Sequence, residues 1–326
     1  YHARITYLLQ LLEATGVEEL VSRVEEPLGR MRAALASLCH PDGEIALLND
    51  SALGIANRPS EIGVPAVEAA AFALPDTGYY GARSAHGHHV ICDAAPIGPD
   101  YQPGHAHGDL LAFELSLAGR RVIVDAGVFD YEPGPRRDYS RSTRAHNTVE
   151  IEGQDQCEFW GVFRVGRRGR PRDVDWQVLE EEGFRLRASH DGYRWLPGRP
   201  LHQRVFRWHP DGLLLVRDRV QALSESSVCS RLHLHPDCQI LERAAASVLV
   251  AAPGGECRIH FAGPGRLDEE AWRYSPRFGE EREGRALLWS LRGRDLEFGF
   301  CVASGGEQLS FDLQTGVRRE GVGFGF

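Results

Sequence analysis

From Thr77 to Phe326 the chain is a succession of short runs of alternating apolar and polar residues, cut by Gly, Pro and Asp turns. This pattern limits the fold more than any other feature. Expected strands are Gly87–Cys92, Phe113–Leu117, Arg121–Asp125, Asn147–Ile151, Phe184–Ala188, Gln203–Trp208, Gly212–Val220, Ser230–Leu234, Ser247–Ala251, Glu256–Phe261, Ala286–Leu291, Phe298–Ala303 and Gln308–Leu313. So many short strands predict a mainly β protein, a large antiparallel β-sandwich exceeding a single immunoglobulin-sized unit. Residues 1–76 read differently. Ile5, Leu8, Leu9 and Leu12 recur at helical spacing up to Gly16, and Leu20, Val24, Leu28, Met31, Leu35 and Leu38 continue a second stripe. An antiparallel helix pair followed by a linker is expected there. Two helices cannot cover that much apolar surface, so the stripes are expected to pack on further structure or to drive a homo-oligomer.

The densest chemistry lies in His105-Ala106-His107-Gly108-Asp109, directly before the strand pattern that ends at Leu117. On a strand, residues two apart share a face, so two imidazoles and a carboxylate would project together. That arrangement suits metal binding or proton transfer. A loop of three residues at 118–120 would set Asp125 opposite Phe113, about 20 Å from His107 at ~3.3 Å per residue. Bringing Asp125 and His107 together needs the chain before Leu110 to bend back, or a different pairing. A second polar cluster runs Tyr139-Ser140-Arg141-Ser142-Thr143-Arg144-Ala145-His146-Asn147. His233 and His235 repeat the alternation without an acidic companion and read as structural. His86, His88 and His89 stand just before a strand, and Phe159-Trp160 reads first as core packing.

Formal charge is −9, which disfavours a nucleic-acid partner. All 37 basic residues are Arg. They cluster at Arg136, Arg137, Arg141 and Arg144, and again from Arg164 to Arg172, where they could attract a polyanion or simply be solvated. The seven cysteines are scattered without a CxxC pair, neither a disulfide framework nor a zinc ribbon, and suggest a reducing compartment or thiols that are simply buried. No apolar run is long enough to span a membrane. The chain opens on Tyr1-His2 without an initiator Met or a signal-peptide pattern, so the natural N-terminus is expected upstream.

The run HGDLLAFELSLAGRRVIVDAGVFDY, followed by RSTRAHNTVEIEGQDQCEFW, resembles the heparinase II/III family of polysaccharide lyases, with specific motifs over roughly residues 86–172. The resemblance implies a C-terminal antiparallel β-sandwich joined to an (α/α) toroid, of which residues 1–76 would be the last part. It implies Tyr1 and His105 as the proton-transferring pair. It also implies His107, Asp125 and His146 as zinc ligands, and an Asn-His pair of the toroid upstream. The expected substrate is an acidic, uronic-acid-containing polysaccharide cleaved by β-elimination in the periplasm, with Arg141 and Arg144 as candidate contacts to it. Two rivals stand beside this reading: a non-catalytic carbohydrate-binding β module, and a hydrolase using the His107/Asp125/His146 group.

Overall fold

The computed structural model describes residues 2–66, 68–179, 183–319 and 322–326, and Tyr1 therefore lies outside the described residues. Two helices, α1 (His2–Thr15) and α2 (Glu18–Ser37), reverse at Gly16 and pack on each other. Their stripes are only partly covered: Leu9 and Leu28 are buried, yet Leu8 and Leu20 remain 45% and 40% exposed.

The β part begins ahead of Thr77. A five-stranded antiparallel meander contains β1 (Ala70–Leu74), β2 (Tyr79–Arg83), β3 (His89–Asp93), β4 (Phe113–Leu117) and β5 (Arg120–Ile123) in that order. Facing it is a ten-stranded antiparallel sheet. Its spine is a pair of long strands, Leu213–His233 and Arg282–Ser304, hydrogen-bonded along most of their length. Sequence alternation splits each into two: the pairing slips between Gln221 and Ser226, the first strand is interrupted by the exposed Leu223-Ser224-Glu225, and in the second the inward face changes from Trp289 and Leu291 to Leu296 and Phe298. The sheets share one core. Phe113 of β4 lies 5.9 Å, centroid to centroid, from both Phe206 and Phe300 of the opposing sheet. All three rings are buried, and each such side chain contributes roughly 1.5–3 kcal/mol through burial.

The β4–β5 connection corrects the expected hairpin. Leu117 pairs with Arg120, so the loop is Ala118-Gly119, with φ of 47° and 78° at its two residues. Positive φ at both positions marks the tight turn whose twist matches that of its flanking strands. The register then slips between Leu115 and Ser116, and β5 ends at Ile123. Asp125 has left the ladder and is not opposite Phe113. The segment after α2 is no loose linker either. Leu47 is buried against Val124 and Ala126, and Ala46 and Leu48 against Ile91.

Candidate functional site

Residues 105–112 do not form the expected strand. A turn of 3-10 helix, Pro103–His105, leads into an irregular buried loop, and Leu111 takes a φ of 62° before β4 begins. The loop is fixed by backbone bonds: Gly108 N donates to Arg141 O and Ala112 N to Asp109 O. A side chain at Gly108 would press within 2.5 Å of Thr143 Oγ1, so only glycine lets this loop lie against the segment after α3 (Pro135–Arg141). The bend separates His105 from His107. The His105 side chain is 61% exposed, whereas that of His107 is fully buried.

Asp50, from the segment after α2, stands between these two imidazoles. Its Oδ2 lies 2.9 Å from His105 Nδ1 and its Oδ1 2.8 Å from His107 Nε2. Arg137 of α3 grips the same carboxylate with both terminal nitrogens, Nη2 donating to Oδ2 at 2.9 Å. Burial alone would raise the Asp50 carboxyl, but the hydrogen bonds from His107 and Arg137 hold it well below the usual carboxylate range. Asp50 is therefore an ionised acceptor, and each histidine donates to it. That fixes both tautomers: neutral His105 keeps its lone pair on Nε2 and His107 on Nδ1. Around His105 stand Tyr131 and Phe163, with centroids at 6.2 and 6.3 Å.

His146 arrives from the other side. Asn147 beside it donates to the carbonyls of Phe113 and Val124, both at 2.9 Å, and accepts from His233 N, which ties the segment to both sheets. His146 Nδ1 is 2.6 Å from Asp125 Oδ2. Burial lowers the His146 imidazole, but the Asp125 carboxylate more than offsets this and lifts it above its usual value. The rings of His107 and His146 come within 5.3 Å. Their ligand atoms and one from Asp109 lie within 4.8 Å of one another. The expected ligand Asp125 is not in this group; Asp109 takes that place, and Asp125 backs His146.

The three residues fit a metal ion on independent grounds. His107 Nδ1, Asp109 Oδ2 and His146 Nε2 are each buried without a hydrogen-bond partner, and buried polar atoms are rarely left so. The two nitrogens carry the lone pairs that the carboxylates behind them leave free. Asp93 stands beside them: burial and the neighbouring Asp109 push its carboxyl well above the ordinary range. Two imidazoles and a carboxylate are a common zinc donor set.

Other expected site residues are distributed differently. Arg141 is buried, and its guanidinium donates to the carbonyls of Ala106, Gly161, Val162 and Arg164, so it is a clamp and not a substrate contact. Arg144 is exposed above the Tyr139 ring and lines a cavity of about 570 Å³ with Arg136, Arg231 and Arg273. Trp160 is 53% exposed, not core. His233 bonds Asn147 and Arg144 O, and His88 accepts from Ala118 N; both are structural. All seven cysteines are free. Among the described residues no helix is long and apolar enough to cross a membrane. Asp50 and Arg137 are the members that sequence patterns did not single out for these roles, and those patterns group Asp109 with His105 and His107, not with His146. Asp50 gave no signal, standing in a Gly- and Pro-containing connection far from its partners.

The family described as heparinase II/III-like, C-terminal, matches the chain over residues 66–311. No curated protein sequence matches it. A solved heparinase III superposes with a TM-score of 0.77 at 14% identity, over 96% of this chain and 53% of that one. A heparan sulfate lyase from Pedobacter heparinus gives 0.75 at 19% identity, over 95% and 52%. Another heparinase III gives 0.76 at 12%, over 99% and 58%. The likeness at these identities is one of fold, and the chain spans little more than half the length of each of these structures.

Proposed function

Because the chain belongs to the heparinase II/III-like C-terminal family, we propose that it serves a polysaccharide lyase acting on a uronic-acid-containing glycan by β-elimination. The observation that carries this reading is the exposed His105 imidazole, backed at Nδ1 by the buried Asp50 carboxylate. Elimination breaks the C5–H bond and the C4–O bond of the uronate and forms a C4–C5 double bond. One group takes the C5 proton and another delivers a proton to the departing glycosidic oxygen. His105 is suited to the exchange, because Asp50 holds its tautomer and leaves Nε2 facing outward, as in other oriented imidazoles. Tyr1 is the proposed second proton carrier. Arg144 is the proposed contact for a substrate carboxylate or sulfate.

His107, Asp109 and His146 would hold a zinc ion, whose positive charge would compensate the buried carboxylates. Asp50 and Asp125 orient the two imidazoles from behind. Asp50 thus contacts both the proton-transfer histidine and a metal-binding one, which makes the spacing between them rigid.

Incubation with heparan sulfate or alginate tests the reading through the near-ultraviolet absorbance of the unsaturated uronate that elimination alone produces. Absorbance that rises with the parent protein and not with His105→Ala supports it. Saturated products would mark a hydrolase, and glycan binding without turnover by the full-length protein would mark a carbohydrate-binding module.

A further inference from the structure

We infer that a basic, tryptophan-bearing groove beside the loop 191–199 is a second binding site for acidic polysaccharide, distinct from the His105 cluster. It extends the proposed function, on which it rests for the choice of polymer, by giving the glycan a hold away from the reacting bond.

The loop joins strands Phe184–His190 and Leu201–His209 and is anchored from below. Tyr193 is fully buried, with its hydroxyl donating to Val149 O at 2.8 Å, and Leu196 is buried in the same core. The residues between the anchors must then point outward, and Arg194, Trp195 and Arg199 are all exposed. Against this loop lies the segment from Arg167 to Arg172. The approach is close at Gly169, where a side chain would come within 2.9 Å of Gly192 Cα. The result is a cleft of about 580 Å³ lined by Arg167, Arg168, Arg172, Arg194, Trp195 and Arg199. A neighbouring depression shares Arg194 and Arg199 and adds Arg294, which prolongs the groove.

Charge in the groove is only partly neutralised, with Asp191 lining the cleft and Asp295 the depression beside it. Arg172 pairs with Asp191 at 2.7 Å and Arg168 with Asp100 at 3.0 Å, while Arg167 reaches Glu158 only at 3.8 Å. Among the described residues, Arg194 and Arg199 have no carboxylate within ion-pair distance. In a chain of net charge −9, this is a local concentration of free guanidinium groups. Trp195 is 41% exposed, with the Arg167 guanidinium 3.9 Å from its ring centroid. A flat indole between cations suits a sugar ring that bears carboxylates or sulfates: the ring stacks and the anions meet the forks.

The groove also communicates with the first site. Glu158 N donates to Arg167 O, and the hairpin of Phe159–Trp160 and Arg164–Val165 continues from there. Arg141 pins that hairpin to Ala106 O, and Phe163 at its tip faces His105. Arg164 over the exposed Trp160 repeats the cation–indole pairing along the way, at 4.8 Å. A polyanion laid on this path would meet alternating guanidinium and aromatic faces. Nucleic acid could exploit similar contacts, but the acidic chain and the continuity with His105 favour the glycan.

The test measures binding, not turnover. Heparan sulfate and alginate chains are immobilised, and the affinity of the His105→Ala protein is read at several salt concentrations. Adding Arg194→Ser and Arg199→Ser together should weaken binding about tenfold or more and flatten its salt dependence. Trp195→Ala should weaken it several-fold and remove the glycan-induced change in tryptophan fluorescence. Arg266→Ser, an exposed arginine elsewhere, should stay within about twofold. Binding unchanged by the double substitution would overturn the assignment. So would tighter binding of single-stranded oligothymidylate than of either glycan, or no binding of either glycan to the starting protein. Failure of the lyase reading shows separately, as absent absorbance change with the parent protein.

Discussion

His107 and His146 face each other across 5.3 Å, each with a carboxylate fixed behind it: Asp50 at 2.8 Å from His107 Nε2 and Asp125 at 2.6 Å from His146 Nδ1. The pair is thereby presented with free lone pairs converging on Asp109. One zinc per chain is expected in protein purified without chelator. Asp109→Ala should abolish it, whereas Asp125→Asn should leave it bound with about 10–100-fold lower affinity, the usual effect of losing a carboxylate behind a ligand. Metal analysis decides. If Asp125→Asn removes the metal and Asp109→Ala does not, Asp125 is the ligand after all.

His105 and His107 should fail differently. His105→Ala is expected to keep metal and thermal stability while turnover falls on the order of 10²–10⁴-fold. His107→Ala should lose metal and melting temperature together. Zinc content and thermal unfolding, measured on both variants, separate the roles; the reverse pattern would exchange them.

Asp50→Asn should combine both defects. The tautomer of His105 would no longer be held, lowering turnover, and the buried Arg137 guanidinium would lose its counter-charge. Breaking a buried ion pair from one side costs about 3–5 kcal/mol. Denaturant unfolding should show a loss of that order, and an unchanged midpoint would mean that Arg137 finds another partner.

Acid should destabilise the fold before its carboxylates titrate. Burial pulls the His190 imidazole well below its usual 6.5, assisted by the charges of His202 and Arg204. Burial lowers His202 too, against the pull of Asp218. With the folded value depressed, the unfolded chain binds the proton first, so stability is complete above pH 6.5 and declines as pH falls below it. Each such histidine contributes a slope of up to about 1.4 kcal/mol per pH unit. His190→Gln should make the fall between pH 6.5 and 4.5 shallower; an identical slope would show that His190 does not titrate differently on unfolding.

The Ala118-Gly119 turn offers a gain. Ala118 is exposed at a φ of 47°, a conformation that disfavours residues with a Cβ and that asparagine tolerates best. Ala118→Asn should stabilise by about 0.5–1 kcal/mol, read as a raised melting temperature. A lowered one would mean that contacts with the neighbouring Gly254 turn dominate.

The β-rich character, the helix pair and the strands at Phe113–Leu117 and Ser247–Ala252 could be read from alternation, because each strand has one face in a common core. Alternation could not show that Arg282–Ser304 is one strand, since a slip in register breaks the period without ending the strand. It also misplaced His105 and His107 on a shared strand face. What positions them is a loop held by tertiary bonds to Arg141 and Gln156, which leave no local pattern. Histidine density pointed to the stretch that supplies part of this cluster. The carboxylates that organise it, Asp50 and Glu114, come from elements separated in sequence and stand out only in three dimensions.

Glu114 sets a lower limit on how short an independently folding fragment could be. Its buried carboxylate binds His40 Nε2 at 2.6 Å, Leu47 N at 3.3 Å and Asp125 N at 2.8 Å, so one side chain fastens the stretch after α2 to the strand that carries the site. A fragment begun at Thr77, where the strand-rich sequence starts, would forfeit β1, His40 and Asp50 together. It would leave a carboxylate and two imidazoles stripped of their counterparts inside an otherwise intact sandwich. Stepwise shortening from the amino end should therefore give soluble, cooperatively melting protein down to the neighbourhood of Leu38 and aggregates beyond it. The working unit for expression and crystallisation begins at the end of α2, not at the first residue of the sheet.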